Sequence, residues 1–99
     1  MLEHLTMDSL SAQLNTKFRI GVETEKPVEL ELVEVQGHDD VPGQTERFSA
    51  LFRGALDFFL PQSTYRMQHE QLGSVDIFIV PIRKDAEGIY YEAVFNRMK

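Results

Sequence analysis

Glu29 and Glu31 are two carboxylates one residue apart in a segment of alternating apolar and acidic residues. On a β-strand they would share one face, about 7 Å apart. A pair of carboxylates at roughly that separation can act as acid and base in glycoside hydrolysis. Two acids on a solvated strand face fit the same pattern. We favour this second interpretation, because nothing else in the sequence indicates a substrate cleft.

The densest cluster of side chains that bind metal ions is His38-Asp39-Asp40. Three consecutive loop residues seldom converge on one ion, and a site needs further ligands from elsewhere in the chain. His4 or His69 could supply one, but the sequence places neither of them nearby. We therefore expect a solvated loop, with no metal and no cofactor.

His69 and Glu70 could form a general acid–base pair, but adjacent residues on a strand point to opposite faces. His69 falls on the apolar face of its strand, which favours a half-buried structural histidine. Neither Ser49 nor Ser63 lies in a Gly-x-Ser-x-Gly motif. Phosphate-binding, dinucleotide-binding and zinc-protease motifs are also absent from the sequence. We predict that the protein is not an enzyme.

The composition excludes several classes of protein. The 99 residues include 16 acids and 10 bases, a net charge of −6, and no cysteine. An acidic chain is a poor ligand for nucleic acid, and no apolar run reaches the roughly 20 residues of a membrane helix. The N-terminus lacks the basic and apolar regions of a signal peptide. We expect one cytoplasmic domain over residues 1–99, with no nucleic-acid or membrane partner.

The acids are concentrated in the first half of the chain. Residues 1–46 carry a charge of −7 and residues 47–99 a charge of +1. Either acidic strands pair with basic strands across a sheet, which we favour, or the acids form a docking face.

Periodicity predicts one helix and six strands. Apolar residues at helical spacing predict a helix over residues 6–14, ended by Asn15 in a left-handed conformation. The period then changes to two, and the predicted strands are residues 17–24, 28–35, 46–53, 64–70, 74–82 and 89–97. Residues 36–45 are predicted to be a loop. Residues 55–62 are either a short helical turn or an irregular loop that plugs the core.

Matching the apolar faces gives a register for the first hairpin. A three-residue loop places Val22 opposite Leu30 and Ile20 opposite Leu32. The alternation reverses at Val33, which indicates either a bulge there or burial of both faces of the strand.

The second half of the sequence predicts two further hairpins. Met67 pairs with Ile77, with Gly73 as the left-handed residue of a three-residue loop, and Val80 pairs with Glu92. One face of three strands is then apolar, and it carries Tyr65, Met67, Ile77, Ile79, Tyr91, Ala93 and Phe95.

The opposite face of strand 74–82 is also apolar at Phe78, Val80 and Ile82, so we expect the helix or a partner subunit to cover it. A short open sheet would leave two exposed edges. The predicted fold is therefore mainly β, a small antiparallel barrel or coiled sheet of about six strands with one N-terminal helix.

Charged residues next to these strands predict cross-strand pairs. Arg53, Arg66 and Arg97 could stack on Tyr90 or Phe52, or pair with the strand of Glu29 and Glu31. Glu92 points at the apolar strip and needs a cation, for which Arg66 and Arg53 are the candidates.

Several sequence blocks resemble a family of small bacterial domains of unknown function, about 100 residues long. The blocks read FSALFRG at 48–54, LPQSTYR at 60–66, HEQLG at 69–73, FIVP at 78–81 and YEAVFNR at 91–97. The resemblance implies a bacterial, single-domain, mainly β protein. It also implies an assembly role near phage-tail-like structures. It assigns no catalytic residue.

Two functions remain open at this stage. The favoured one is a non-enzymatic protein-interaction or assembly module with a protein partner or a second copy of itself. The alternative is a small-molecule-binding β-barrel, which needs a cavity of about 300 Å³ or more. The predicted interaction surface consists of Glu29, Glu31, Glu34, Phe58, Phe59, Phe78 and Tyr90.

Overall fold

Six antiparallel strands follow one short helix in the computed structural model, which describes residues 7–21, 28–38 and 45–98. The elements are α1 (Met7–Ser11), β1 (Lys17–Ile20), β2 (Val28–His38), β3 (Thr45–Gly54), β4 (Ser63–His69), β5 (Gly73–Asp85) and β6 (Gly88–Met98). The strand order is β1-β2-β3-β6-β5-β4, and β4 pairs with β1, so the sheet closes into a ring. The predicted mainly β fold with one helix is confirmed.

Alternate residues of the strands fill the interior of the ring. The largest fully buried side chains are Tyr91, Phe18, Phe48, Phe52, Leu10, Leu30, Leu32, Met67, Ile77 and Ile79. Phe18 packs edge-on against Phe52 with ring centres 5.2 Å apart, and Phe48 stacks on Phe95 at 4.9 Å. The predicted apolar face of three strands therefore forms part of this core, with Tyr65 partly buried against it.

A bulge in β2 explains the reversal of its alternation. Leu32 pairs with Phe52 and Glu34 with Leu51, which leaves Val33 as an extra residue. The inserted residue reverses the parity of the strand. The acids of β2 consequently stay outside the ring on both sides of the bulge. The predicted bulge is confirmed.

The β1–β2 register differs from the prediction. Ile20 pairs with Val28 and not with Leu32, a shift of four residues. Any even shift keeps every side chain on its own face, so the apolar pattern determines the face but not the register. The predicted pairing of Val22 falls in residues 22–27, outside the described residues.

The β4–β5 register is also displaced by an even number. Met67 pairs with Val75 and not with Ile77, a shift of two. The three-residue turn is Glu70 to Leu72, and Gly73 follows it with a φ of +75°. The predicted left-handed glycine is confirmed.

The β5–β6 hairpin contains a second bulge, which the sequence did not predict. The pairing shifts between Pro81 and Arg83, so Ile82 is the extra residue. As a result the strands meet at a two-residue turn, Ala86 and Glu87.

Glu92 pairs with Val80 as predicted, but its environment was predicted wrongly. Arg53 and Arg66, its candidate partners, bond to other carboxylates. The expected helical cover of this outer face of β5 is also wrong: α1 packs on β2, and Phe78 is 49% exposed. Glu92 faces an open surface and needs no buried partner.

The helix is shorter than residues 6–14. After α1, turns lead to Asn15, whose φ of 69° is the predicted left-handed conformation. The Asn15 N–H donates to the carbonyl of Leu32 at 2.7 Å, and Leu10 inserts into the core. Among the described residues no helix is long and apolar enough to cross a membrane.

The predicted loop over residues 36–45 is partly strand. Residues 36–38 belong to β2 and Thr45 belongs to β3. The remaining residues, 39–44, lie outside the described part of the chain.

Candidate functional site

Five polar side chains occupy directly paired positions on five neighbouring strands. Lys17 of β1 pairs with Glu31 of β2, Glu31 with Arg53 of β3, Arg53 with Tyr90 of β6, and Tyr90 with Arg83 of β5. Side chains at directly paired positions of an antiparallel sheet lie about 4.5–5.5 Å apart. They form a continuous line on the outside of the ring, which we call the polar row.

Arg53 is the centre of the polar row. Its Nη2 donates to Glu31 Oε1 at 2.9 Å and its Nη1 to Glu87 Oε1 at 3.4 Å. A hydrogen bond to Tyr90, and to a smaller extent one to Glu31, raises the pKa of Arg53 above its ordinary value. The Arg83 guanidinium lies 4.3 Å from the centre of the Tyr90 ring. Of the arginines predicted to pair with the strand of Glu29 and Glu31, Arg53 does so, whereas Arg66 pairs with Asp76.

An open groove of about 670 Å³ lies at the β1–β3 end of the polar row. Its lining is Lys17, Val28, Glu29, Glu31, Arg53, Gly54, Ala55, Asp57, Phe58 and Glu87. The described lining holds four carboxylates and two cations, a formal charge of −2. We call it the acidic groove because of this charge, and Phe58 adds an apolar side chain to its lining.

Glu87 reaches this groove because the β5–β6 turn approaches β3 closely. A side-chain carbon at Gly88 would lie 2.5 Å from the carbonyl oxygen of Gly54. Glycine therefore permits the contact between the turn and Arg53.

Residues 55–62 form an irregular segment, the 55–62 segment, whose backbone is anchored to the ring. Leu60 is 5% exposed, and its N–H donates to the buried Tyr91 hydroxyl at 3.0 Å. The Tyr65 hydroxyl donates to the carbonyl of Pro61 at 2.6 Å. Burial raises the pKa of Tyr91, so the hydroxyl stays protonated. Of the two structures predicted for residues 55–62, the irregular loop that plugs the core describes Leu60 correctly.

The same segment leaves three large apolar side chains in solvent. Leu56, Phe58 and Phe59 are 48%, 52% and 57% exposed. Exposed apolar side chains on an ordered backbone are typical of contact surfaces.

A second open groove, of about 480 Å³, lies at the Arg83 end of the polar row. Its lining is Leu56, Phe59, Pro81, Ile82, Arg83, Lys84 and Ile89. This described lining is apolar apart from two cations, a formal charge of +2, and we call it the basic groove. Successive residues of the 55–62 segment thus enter two different grooves, Phe58 the acidic one and Phe59 the basic one.

Three of the residues predicted to form the interaction surface lie close together in the structure. Glu29, Glu31 and Phe58 share the acidic groove. Glu34 lines a smaller depression of about 230 Å³. Phe59 lines the basic groove.

Two other predicted surface residues lie apart from these. Phe78 is exposed on the outer face of β5, outside both grooves. Tyr90 is only 5% exposed because it lies beneath Arg83, so it supports the surface without presenting its ring to solvent.

His69 forms hydrogen bonds to the turn after β4 and to the segment between α1 and β1. Its Nδ1 accepts the N–H groups of Gln71 and Leu72 at 3.0 and 3.2 Å. The neutral ring therefore carries its proton on Nε2, which donates to Thr16 Oγ1 at 2.8 Å. The Thr16 hydroxyl in turn donates to the carbonyl of Gln13 at 2.6 Å.

Burial lowers the pKa of His69 from 6.5, against a smaller opposing effect of the Glu70 carboxylate. The ring is 6% exposed and packs 4.4 Å from the Phe18 ring. His69 thus has a structural role with both nitrogens occupied, as the sequence predicted, although it is more deeply buried than expected.

The described residues contain no group of three or more His, Cys, Asp or Glu side chains able to hold a metal ion. Of the His38-Asp39-Asp40 cluster, only the His38 backbone, at the end of β2, is described. Ser49 is buried in β3, and Ser63 is exposed at the start of β4.

Several residues of the two grooves were missed by sequence reasoning. Asp57, Glu87 and Lys84 gave no signal because charges in turns are usually solvated. Ile82 was recognised as apolar, but its position beside Phe59 depends on the bulge in β5.

No curated protein and no solved structure matches the chain. The sequence profile of one protein family, described as a domain of unknown function (DUF6916), matches residues 5–95, and the chain therefore belongs to that family.

Proposed function

We propose that the domain is a non-enzymatic protein-interaction module and that the 55–62 segment, with the acidic and basic grooves, is its contact surface. The observation that carries this proposal is the contrast within the segment. Its backbone is bonded to Tyr91 and Tyr65, while Leu56, Phe58 and Phe59 are each about half exposed.

Anchoring matters because binding costs the entropy of ordering the contact surface. A segment fixed by Leu60 in the core and by two tyrosine hydroxyls has already lost much of that entropy in folding. Its exposed aromatic side chains, Phe58 and Phe59, are also of a residue type that is enriched at protein interfaces.

The proposed setting is bacterial and cytoplasmic, with an assembly role that includes components of phage-tail-like particles among the partners. The support for this setting is the sequence resemblance and the absence of cysteine. The contact surface is proposed independently of that setting.

The alternative of a small-molecule-binding barrel has less support. The large side chains of Phe18, Phe48, Phe52 and Tyr91 occupy the interior of the ring. The two larger grooves described above are open, and both lie on the outside.

A photo-crosslinking amino acid placed at Phe59 tests the proposal in cells. We expect one defined protein adduct from position 59 and none from the control position Gln71, which is exposed at the opposite end of β4. Equal labelling from both positions, or no adduct from position 59, would overturn the proposal.

A further inference from the structure

The two grooves beside the 55–62 segment carry opposite charge. The acidic groove has a formal charge of −2 and the basic groove a formal charge of +2 over their described linings. Both are partly apolar, since Phe58 lines the first and Phe59 the second. Because one surface carries two grooves of opposite charge, it is electrostatically complementary to the same surface on a second copy of the chain.

The placement of the grooves satisfies two-fold symmetry. They lie at opposite ends of the polar row, and the 55–62 segment contributes residues to both. A two-fold axis running along the segment places the acidic groove of each copy against the basic groove of the other. The two contacts are then equivalent, as an isologous interface requires.

We infer that the domain forms a symmetric homodimer in which the 55–62 segments meet at the axis. Each acidic groove then faces the basic groove of the partner. This inference rests on the proposed contact surface and names its occupant. Leu56, Phe58, Phe59 and Ile82, each 45–57% exposed, form the apolar centre of the interface, and the groove charges form its rim.

Such a dimer needs a modest share of the surface of the chain. A stable interface buries about 800 Å² per subunit, roughly an eighth of the 6324 Å² that the chain exposes. An apolar centre surrounded by charged side chains is the usual arrangement of a specific interface.

The test is a pair of charge reversals, one in each groove: Asp57→Lys and Lys84→Glu. Both residues are exposed and lie outside the polar row, so the melting temperature should stay unchanged when it is measured at a concentration at which the protein is monomeric. Each variant alone places like charges opposite each other at both contacts of its own dimer. We expect self-association, measured by sedimentation equilibrium, to weaken about tenfold or more in each variant.

Mixing the two variants in equal amounts gives the decisive result. In the mixed dimer the lysine introduced at position 57 of one chain would face the glutamate introduced at position 84 of the other. At the second contact the native Lys84 would face the native Asp57, so both contacts regain opposite charge. We expect association to return to within about threefold of wild type. Glu70→Lys, the same change of charge at the far end of β4, should leave association unchanged.

A monomer at all concentrations, or a dimer insensitive to both reversals, would overturn the inference. The crosslink at Phe59 separates this failure from failure of the proposed function. An adduct with a different protein overturns only the homodimer, whereas the absence of any adduct overturns both.

Discussion

The connections at the two ends of β4 are anchored by the same kind of hydrogen bond. Before the strand, the Leu60 N–H donates to the buried hydroxyl of Tyr91. After the strand, the N–H groups of Gln71 and Leu72 donate to the buried ring of His69. At each end a buried polar side chain accepts hydrogen bonds from backbone N–H groups that lie outside the sheet. Buried backbone N–H groups need such hydrogen-bond partners.

The surfaces at these two ends differ. The turn after β4 exposes Glu70 and Gln71 and packs Leu72 partly against the core. The 55–62 segment buries Leu60 but exposes three other large apolar side chains. Both connections are anchored, so loose structure does not explain the exposure. The comparison supports the proposed role of these apolar residues in a contact outside the fold.

Removing the plug of the 55–62 segment should have the largest effect on stability. Leu60→Ala leaves a cavity at a site that is 5% exposed, and we expect the free energy of unfolding to fall by about 2–5 kcal/mol. Leu56→Ala is the matched control, because the same truncation at an exposed site should cost less than about 0.5 kcal/mol. Urea denaturation measures both, at a protein concentration at which the protein is monomeric. Equal losses would show that the two leucines do not differ in role.

Breaking the anchor at the other end of β4 should have a smaller effect. Thr16→Val preserves shape but removes the acceptor of His69 Nε2–H, and we expect a loss of about 1–3 kcal/mol in the free energy of unfolding. Thr64→Val, on the exposed side of β4, is the control and should change it by less than about 0.5 kcal/mol. If Thr16→Val is as harmless as its control, the two ends are not anchored alike.

The smallest effect on stability should be a pH dependence confined to the His69 end. The folded pKa of His69 lies below its unfolded value of 6.5, so the unfolded state binds more protons as the pH falls. The contribution of His69 is therefore complete above about pH 6.5 and is lost as the pH falls through the lowered folded pKa. Wild type should lose stability more steeply than His69→Gln between pH 7 and 5. Parallel curves would contradict this role of the ring.

The sequence predicted the inward face of the strands, because a period of two needs no knowledge of the partner strand. For β5 it also predicted a covered outer face, where Phe78 is exposed. Met67 and Ile77 lie inside the ring as expected, although they are not opposite each other. The reversal at Val33 was visible for the same reason. Registers differing by an even number bury the same side chains, so composition alone could not select among them.

The contact surface was harder to predict. In the run Phe58-Phe59-Leu60 only Leu60 is buried, and nothing in the sequence distinguishes the three. Tyr90 was expected at the surface, but the β5–β6 pairing places Arg83 over it. Burial by a neighbouring strand depends on strand order, which local patterns do not contain.

Self-association of the Phe59→Ser variant tests most directly whether the exposed side of the 55–62 segment serves binding and not folding. Phe59 is 57% exposed, so the free energy of unfolding of the monomer should stay within about 0.5 kcal/mol of wild type. We expect sedimentation equilibrium to show dimerisation of the variant weakened by at least about tenfold, as for the loss of an aromatic residue at the centre of an interface. Unchanged association of a folded Phe59→Ser protein would contradict the account.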